Sequence, residues 1–371
     1  FLTSEALQKE ALQLLNAKIP IPSLRLHAQE VSDVLEDMIL HGEVVSVKGD
    51  IYLPRVFAQE DETARRIAMR VVEPPAPEKI EQILEQVKRE IGLALSSKQE
   101  AAVYAAYRHN LSIITGSPGT GKTTVLKTIL EVYRRLHPQG EIALMAPTGR
   151  ASRRMAESTG VDKAKTLHSI LGLASEEDEI KRNNTQEPLS ADLIIVDEFS
   201  MVDTWLANQL ISNIATDTKL LIVGDADQLP SVSPGQVLAD LLQIPSIPQT
   251  KLEHIFRQSE DSTIVSLAGD IRQGKLPQDF TERKADRSYF EAGSEHIPKM
   301  IEQITSAALR SQIPARDIQV LAPMYKGQAG IDNINTLMQD LLNPAIKDQV
   351  VFDTPDCQYR DGDKVIHLVN D

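Results

Sequence analysis

The sequence predicts an α/β protein built on parallel sheet, with a small helical module in front of it, and three observations carry that expectation. From Ser96 onward, short apolar runs alternate with helix-like segments, the order that yields a parallel sheet with helices on both faces. One of those runs, Leu111-Ser112-Ile113-Ile114-Thr115, leads directly into Gly116-Ser117-Pro118-Gly119-Thr120-Gly121-Lys122-Thr123, the spacing G-x-x-x-x-G-K-T of a phosphate-binding loop between strand and helix. The first ninety residues instead read as helices followed by a hairpin.

In that N-terminal stretch Leu7, Leu12, Leu14 and Leu15 form one helical apolar stripe, and Val31, Val34, Leu35, Met38 and Ile39 form a second. Two β-rich runs then flank Lys48-Gly49-Asp50 within Gly42 to Pro54, a hairpin signal. Helices followed by a hairpin suggest a winged-helix-like module. The hairpin is poor in Lys and Arg, which favours a structural platform over a wing that contacts nucleic acid. Glu73-Pro74-Pro75-Ala76-Pro77 interrupts regular structure, and a helix from Glu78 to Ile91 leads onward. The expected divisions are residues 1–92, 93–251 and 252–371.

The middle division is expected to hold strands over Ser112–Thr115, Ile142–Met145, Leu193–Val196 and Leu220–Val223, each ending in polar residues. Ligands of open parallel sheets gather at the carboxyl ends of the strands, so these four junctions should line one cleft. At the first, Gly116, Gly119 and Gly121 admit backbone conformations closed to residues with a Cβ, which lets N–H groups of Gly116, Ser117, Pro118-flanked Gly119, Thr120 and Gly121 turn toward phosphate oxygens. Lys122 supplies a mobile positive charge, the Thr123 hydroxyl is placed to ligate Mg²⁺, and the helix entered through Thr124 adds its positive end. At the third, a buried strand delivers Asp197 for Mg²⁺ and Glu198 for activation of water. At the fourth, Gly224 to Pro230 places Gln228 where an amide could sense a γ-phosphate or orient the attacking water. The second junction, Ala146-Pro147-Thr148-Gly149-Arg150-Ala151-Ser152-Arg153-Arg154, mixes hydroxyl, backbone and cationic groups suited to the phosphates of a single strand.

Composition sets limits on these readings. The chain has 371 residues, 42% apolar and 25% charged, with a formal net charge of −14. That length calls for two or three domains, and that charge excludes a polyanion binder held by overall attraction. Nucleic-acid contact must come from local basic surface. A single Cys357 cannot form an intrachain disulfide and fits a reducing cytoplasm. No apolar run reaches the length of a membrane span and the start has no signal-peptide pattern, so a cytoplasmic location is expected. Position 1 is Phe, which fits a piece of a longer chain.

Gln99, the Gly116–Thr123 loop, Ala146–Ser152, Thr166-Leu167-His168-Ser169, Asp197-Glu198-Phe199-Ser200-Met201-Val202-Asp203, Gly224–Val232 and Ile255-Phe256-Arg257-Gln258 together resemble the ordered motifs of superfamily 1 helicases. The closer resemblance is to the RecD family, meaning the α subunit of exodeoxyribonuclease V and its stand-alone RecD-like relatives. It runs from about Leu95 to the C-terminus. What it implies is two RecA-like parallel-sheet motor domains, the second incomplete, behind the small helical, winged-helix-like N-terminal domain. It further implies an ATP-driven, Mg²⁺-dependent motor that moves 5′-to-3′ on single-stranded DNA, in DNA repair or recombination, with other proteins of those processes as partners.

By the same resemblance Gln99 would read the adenine edge, Arg257 would be an arginine finger from the second motor domain, and Thr148, Arg150 and His168 would face DNA. Gly172 to Ser190, an acidic loop by its residues, occupies the place of the family's separation pin. In the last division Ser262–Gly274 should be helical and Ile318–Ala322 a buried strand, followed by Pro323–Gly330 with Lys326 as a phosphate-backbone contact. The later motifs are missing before Asp371, so the resemblance implies a chain truncated before the last motifs and not competent by itself for unwinding. Competing readings are a superfamily 1 motor on RNA, an ATP-binding nucleic-acid clamp without unwinding, and a phosphotransferase. The last leaves Gln228, Arg257 and the Thr148 segment without a task. No nuclease metal cluster is visible, so strand cleavage is not expected.

Overall fold

Strand Leu193–Val196 shows how this sequence builds its core. Leu193 and Ile195 project into one apolar cluster and Ile194 and Val196 into another, the period-2 alternation of a strand buried on both faces. In the computed structural model this strand is central in a sheet whose helices cover both sides. The structure describes residues 1–72, 79–92, 94–161, 164–173, 189–253, 262–347, 349–354 and 357–365. They divide between two compact units, Phe1–Asp261 and Ser262–Asp371.

The first unit opens with β1 (Leu2–Thr3), α1 (Ser4–Ala17), α2 (Ala28–Leu40), β2 (Val45–Val47) and β3 (Asp50–Tyr52). The expected hairpin is present, with Lys48 and Gly49 both at positive φ. It is extended by β1, which the sequence did not announce, into a three-stranded sheet of order β1-β3-β2. Leu35, Val44 and Ile51 form its small core, with Leu7, Met38 and Ile39 packed against it. Leu14, Leu15 and Val34, assigned by periodicity to the apolar stripes, are exposed. A module this small cannot cover every apolar side chain its helices carry.

Next come α3 (Pro54–Arg70), α4 (Ile80–Ile91), α5 (Ser97–Arg108), β4 (Leu111–Gly116), α6 (Lys122–Leu136), β5 (Ile142–Ala146), α7 (Gly149–Thr159), β6 (Ala164–Thr166), α8 (Leu167–Ile170) and β7 (Leu193–Val196). They are followed by α9 (Thr204–Ser212), β8 (Lys219–Gly224), α10 (Val237–Leu242) and β9 (Gln249–Leu252). All four expected strands are present within a residue or two of their expected ends. The sheet has six strands in the order β6-β5-β7-β8-β4-β9, every neighbour parallel. Helices α4, α5 and α6 bury Leu84, Val103 and Ile129 on one face, and α3, α9 and α10 bury Ile67, Leu210 and Leu238 on the other.

Helix α3 is tied to this unit by its last residue. Arg70 is 2% exposed, and its guanidinium donates to the carbonyls of Ile214 (2.9 Å), Ala215 (2.5 Å) and Thr218 (2.9 Å) in the turn before β8. Burial pulls its pKa down to about 10, which leaves it charged at neutral pH. Two and three turns earlier in α3, Thr63 Oγ1 and Gln59 O accept from the Asn208 side chain of α9, each at 3.2 Å.

The second unit contains α11 (Thr263–Arg272), matching the expected helix, then α12 (Ile297–Arg310), α13 (Ile331–Leu342), β10 (Val351–Asp353) and β11 (Gln358–Arg360). The two strands pair as an antiparallel hairpin. Ile318–Ala322 is not the buried strand expected: it has no strand pairing, and Leu321 is 90% exposed. A five-residue apolar run specifies a strand only where neighbouring strands accept its backbone hydrogen bonds, and among the described residues of this unit there is no parallel sheet to do so. Pro323–Gly330 instead closes as a compact turn onto α13, with the amides of Ile331 and Asp332 donating to Met324 O (2.9 Å) and Tyr325 O (3.1 Å). No helix among the described residues is long and apolar enough to cross a membrane.

Candidate nucleotide and single-strand site

Strand register sets the site. Ala146 pairs with Thr166, Met145 with Val196, Val196 with Ile222 and Val223 with Ile114. The last residues of β6, β5, β7, β8 and β4 therefore end nearly level, and the loops that follow them emerge from a single edge. That edge carries the glycine loop, Asp197-Glu198, the Asp225–Gln228 turn, Thr148-Arg150 and His168.

The loop after β4 turns at Gly119 and Gly121, both at φ +86°, a left-handed conformation that glycine adopts without steric cost. Gly116 serves a different end from the one expected. It is the last residue of β4, and a Cβ there would lie 2.6 Å from Leu252 O and 2.8 Å from Thr120 Oγ1. Its role is close approach to β9, while loop curvature comes from the other two glycines. Thr120 Oγ1 donates to Ser117 O at 2.8 Å, which ties the loop across its mouth above exposed Pro118. Lys122 Nζ folds back over the loop to the carbonyls of Gly116 and Ser117, the latter at 3.3 Å. Helix α6 starts at Lys122, so Thr123 and Thr124 lie in its first turn, where backbone N–H groups have no intrahelical partner.

Asp197 follows β7, next to β8, which neighbours β4. Burial raises its carboxyl above the usual range, the neighbouring Glu198 charge adds to that, and the Glu198 N–H (2.9 Å) and the Lys122 charge oppose it. Lys122 and Asp197 thus feel one another across the cleft. Glu198 has φ +55°, an uncommon state for a residue with a Cβ, and such strain persists only where the surroundings enforce it. Here it lets the chain turn at once into the 3₁₀ turn Phe199–Met201. Gly224, opposite, leaves room for this turn: a Cβ there would meet Leu238 Cδ2 at 2.7 Å and the amides of Phe199 and Ser200 at 3.3 Å. On the β8 side Asp225, 3% exposed, accepts from Asp227 N (3.2 Å), and Gln228 N donates to Asp225 O (3.1 Å). Sequence reasoning passed over Asp225, although a carboxylate directly after a buried strand is the same signal that singled out Asp197.

Mg²⁺ suits the oxygen donors present. Thr123 offers a hydroxyl and Asp197 a buried carboxylate, and among the described residues no group of three or more carboxylates, histidines or cysteines competes. A small hard cation that keeps waters and takes phosphate oxygens needs few protein ligands.

Gln99 closes a capping box on α5. Its side-chain Oε1 accepts from Ser96 N (2.9 Å) and its backbone N–H donates to Ser96 Oγ (3.3 Å). The side chain is 4% exposed, so a two-point adenine contact requires the Ser96 bond to open. The Ser-x-x-Gln spacing announces this cap, yet the sequence reading left it out.

On the other flank, Thr148 Oγ1 caps α7 by accepting from Ala151 N (3.2 Å), and Thr166 Oγ1 caps α8 by accepting from Ser169 N (3.1 Å). Arg150, Arg153 and Arg154 are exposed on α7 while Ser152 and Met155 are buried beneath them. His168 is exposed, its ring centroid 6.1 Å from that of Trp205. Lys326 is exposed in the second unit. Arg257 and its neighbours, and residues 174–188 of the Gly172–Ser190 stretch, lie outside the described residues.

Comparison with known proteins gives this edge a family. Residues 99–234 match the family model described as AAA domain. The ATP-dependent RecD2 DNA helicase of Deinococcus radiodurans is 32% identical over 326 residues, 87% of this chain and 43% of that protein. This chain is similar to RecD proteins over most of its length. The RecBCD enzyme subunit RecD of Mycolicibacterium smegmatis is 29% identical over 330 residues, 81% of this chain and 56% of that one. The chain therefore spans about half the length of the RecD proteins it matches. Among solved structures, the Pif1 helicase of Candida albicans aligns over 60% of this chain and 55% of its own at 26% identity, with a TM-score of 0.40.

Proposed function

We propose that this RecD-like chain binds and hydrolyses ATP with Mg²⁺ at the β4–β7–β8 end of the sheet and grips single-stranded DNA at the β5–β6 end, as part of a DNA helicase. The observation that carries the reading is that Lys122 after β4 and Asp197-Glu198 after β7 stand at the ends of the two strands flanking β8, level with Thr148 and His168 on the same edge.

In this reading the loop amides and Lys122 would hold the β- and γ-phosphates, while Thr123 and Asp197 would hold Mg²⁺, which would supply charge neutralisation for phosphoryl transfer. Glu198 accepts the proton of the attacking water, and Gln228 orients that water. Gln99 reads the adenine once it releases Ser96. By the resemblance to RecD proteins, Arg257 would act as an arginine finger on the transferred phosphoryl group. ATP then favours one arrangement of the two motor domains and hydrolysis removes the preference, so differential contacts become movement. The 5′-to-3′ direction, the place in repair or recombination and any protein partners are inferred from the RecD family.

The test is ATP hydrolysis with and without single-stranded DNA, paired with unwinding of duplexes bearing a 5′ or a 3′ overhang. Stimulation by DNA above RNA, lost in Lys122→Ala, supports the reading. Slow hydrolysis indifferent to DNA favours an ATP-dependent clamp and sinks the motor. Arg257→Ala is expected to retain nucleotide binding and lose turnover; parental turnover removes it from the site.

A further inference from the structure

We propose that His168 and Trp205 form a base-stacking step on the single-strand side of the sheet edge. His168 offers the ring on which a base rests, and Trp205 is the positioning residue behind it. The proposal rests on the reading of this edge as a DNA-binding surface and adds to it the chemical group recognised, the flat face of a base.

The two rings come from different elements. His168 is the second residue of α8, directly after β6, and Trp205 the second residue of α9, which begins just past the turn that follows β7. Each is anchored by its neighbours. Leu167 is fully buried and Leu206 is 3% exposed, while Thr166 and Asp203 cap the two helix starts, the latter accepting from Leu206 N at 2.7 Å. Trp205 packs its inner side against the apolar core beneath the sheet. Its ring centroid lies 6.1 Å from that of the exposed His168, the planes inclined by 45°, within the range of aromatic pairs. An exposed ring backed by a core-anchored indole is held in place without being covered.

Its surroundings suit a nucleic-acid strand. Ala146 and Thr166 are paired across β5 and β6, so Thr148 and His168 each stand two residues past a matched pair and emerge side by side. Arg150, Arg153 and Arg154 line the exposed face of the helix that Thr148 caps. Cations for the backbone beside a ring for a base is the combination by which single strands are held without sequence preference. Four strand steps separate β6 from β4, roughly 19 Å at about 4.8 Å each. A strand on this step therefore does not overlap the phosphate loop.

The chain contains one tryptophan, so emission excited selectively from tryptophan, away from tyrosine absorption, reports on Trp205 alone. The experiment titrates the 371-residue chain with oligothymidylate and with an abasic phosphodeoxyribose strand of equal length, following Trp205 emission and, independently, the anisotropy of labelled strands. Expected are a change in emission on binding thymidylate and tighter binding of thymidylate than of the abasic strand. His168→Ala should lose roughly tenfold in thymidylate affinity and most of that preference, with little effect on the abasic strand. His168→Phe should restore both, and Trp205→Ala should behave as His168→Ala while Trp205→Phe retains most of the affinity. Equal binding of the two strands by the parent, or an unchanged preference in His168→Ala, overturns the stacking step alone. Failure of the parent to bind either strand removes the nucleic-acid reading and the step with it.

Discussion

Burial sets the electrostatics of Asp197 more than the opposing charge of Lys122 does, and the roles of the two residues can be measured one at a time. Lys122→Ala removes the only mobile cation of the phosphate loop that the sequence supplies and is expected to lower ATP hydrolysis by roughly a hundredfold or more, with the chain still folded by circular dichroism. Asp197 yields a stability prediction. Its native pKa is raised by burial, so the folded chain keeps a proton there over a range in which the unfolded chain has released it. Stability from this site therefore falls as pH rises from about 3.9, the unfolded value, through the raised native value. Asp197→Asn is expected to raise the thermal midpoint of the nucleotide-free chain near neutral pH, an advantage that vanishes below about pH 3.5, while it abolishes Mg²⁺-dependent hydrolysis. A thermal midpoint unchanged by the substitution at both pH values would show that burial does not penalise this carboxylate.

Helix α3 precedes the sheet domain in sequence yet is bound to it by a buried cation. Arg70 spans 144 to 148 residues of sequence to reach the carbonyls of Ile214, Ala215 and Thr218. Arg70→Met leaves those carbonyls without their donor and is expected to cost about 3 kcal/mol in urea unfolding, while Arg70→Lys recovers only part because an ammonium cannot match the guanidinium fork. The β4–β9 pair depends on Gly116 in the same way. Gly116→Ala drives a Cβ against Leu252 O, and a loss of about 1–3 kcal/mol is expected, visible in unfolding as well as in nucleotide binding.

Across the whole molecule a net charge of −14 means that strand binding, as proposed, rests on a few local cations. Log affinity for single strands should fall with log salt by about 0.7 per phosphate contact, so Arg150→Ala is expected to flatten the slope by roughly that amount. An unchanged slope would move the backbone contact away from α7. At this scale the sequence was an uneven guide. The four strands, the phosphate loop and the Asp197-Glu198 junction were legible because each is a local pattern: an apolar run, a glycine spacing, a carboxylate at a strand end. The Thr148 hydroxyl, expected to face DNA, also caps a helix, and Gln99 is already engaged by Ser96. Such competition for a hydrogen bond is decided by neighbours in space. Ile318–Ala322 failed as a strand because β pairing needs a partner that no run of five residues contains. Strand order, the level ends that align Thr166, Ala146 and Asp197, the reach of Arg70 and the pairing of His168 with Trp205 all join residues distant in the chain. Periodicity and spacing record what a segment prefers, and only the packed sheet decides which segments meet.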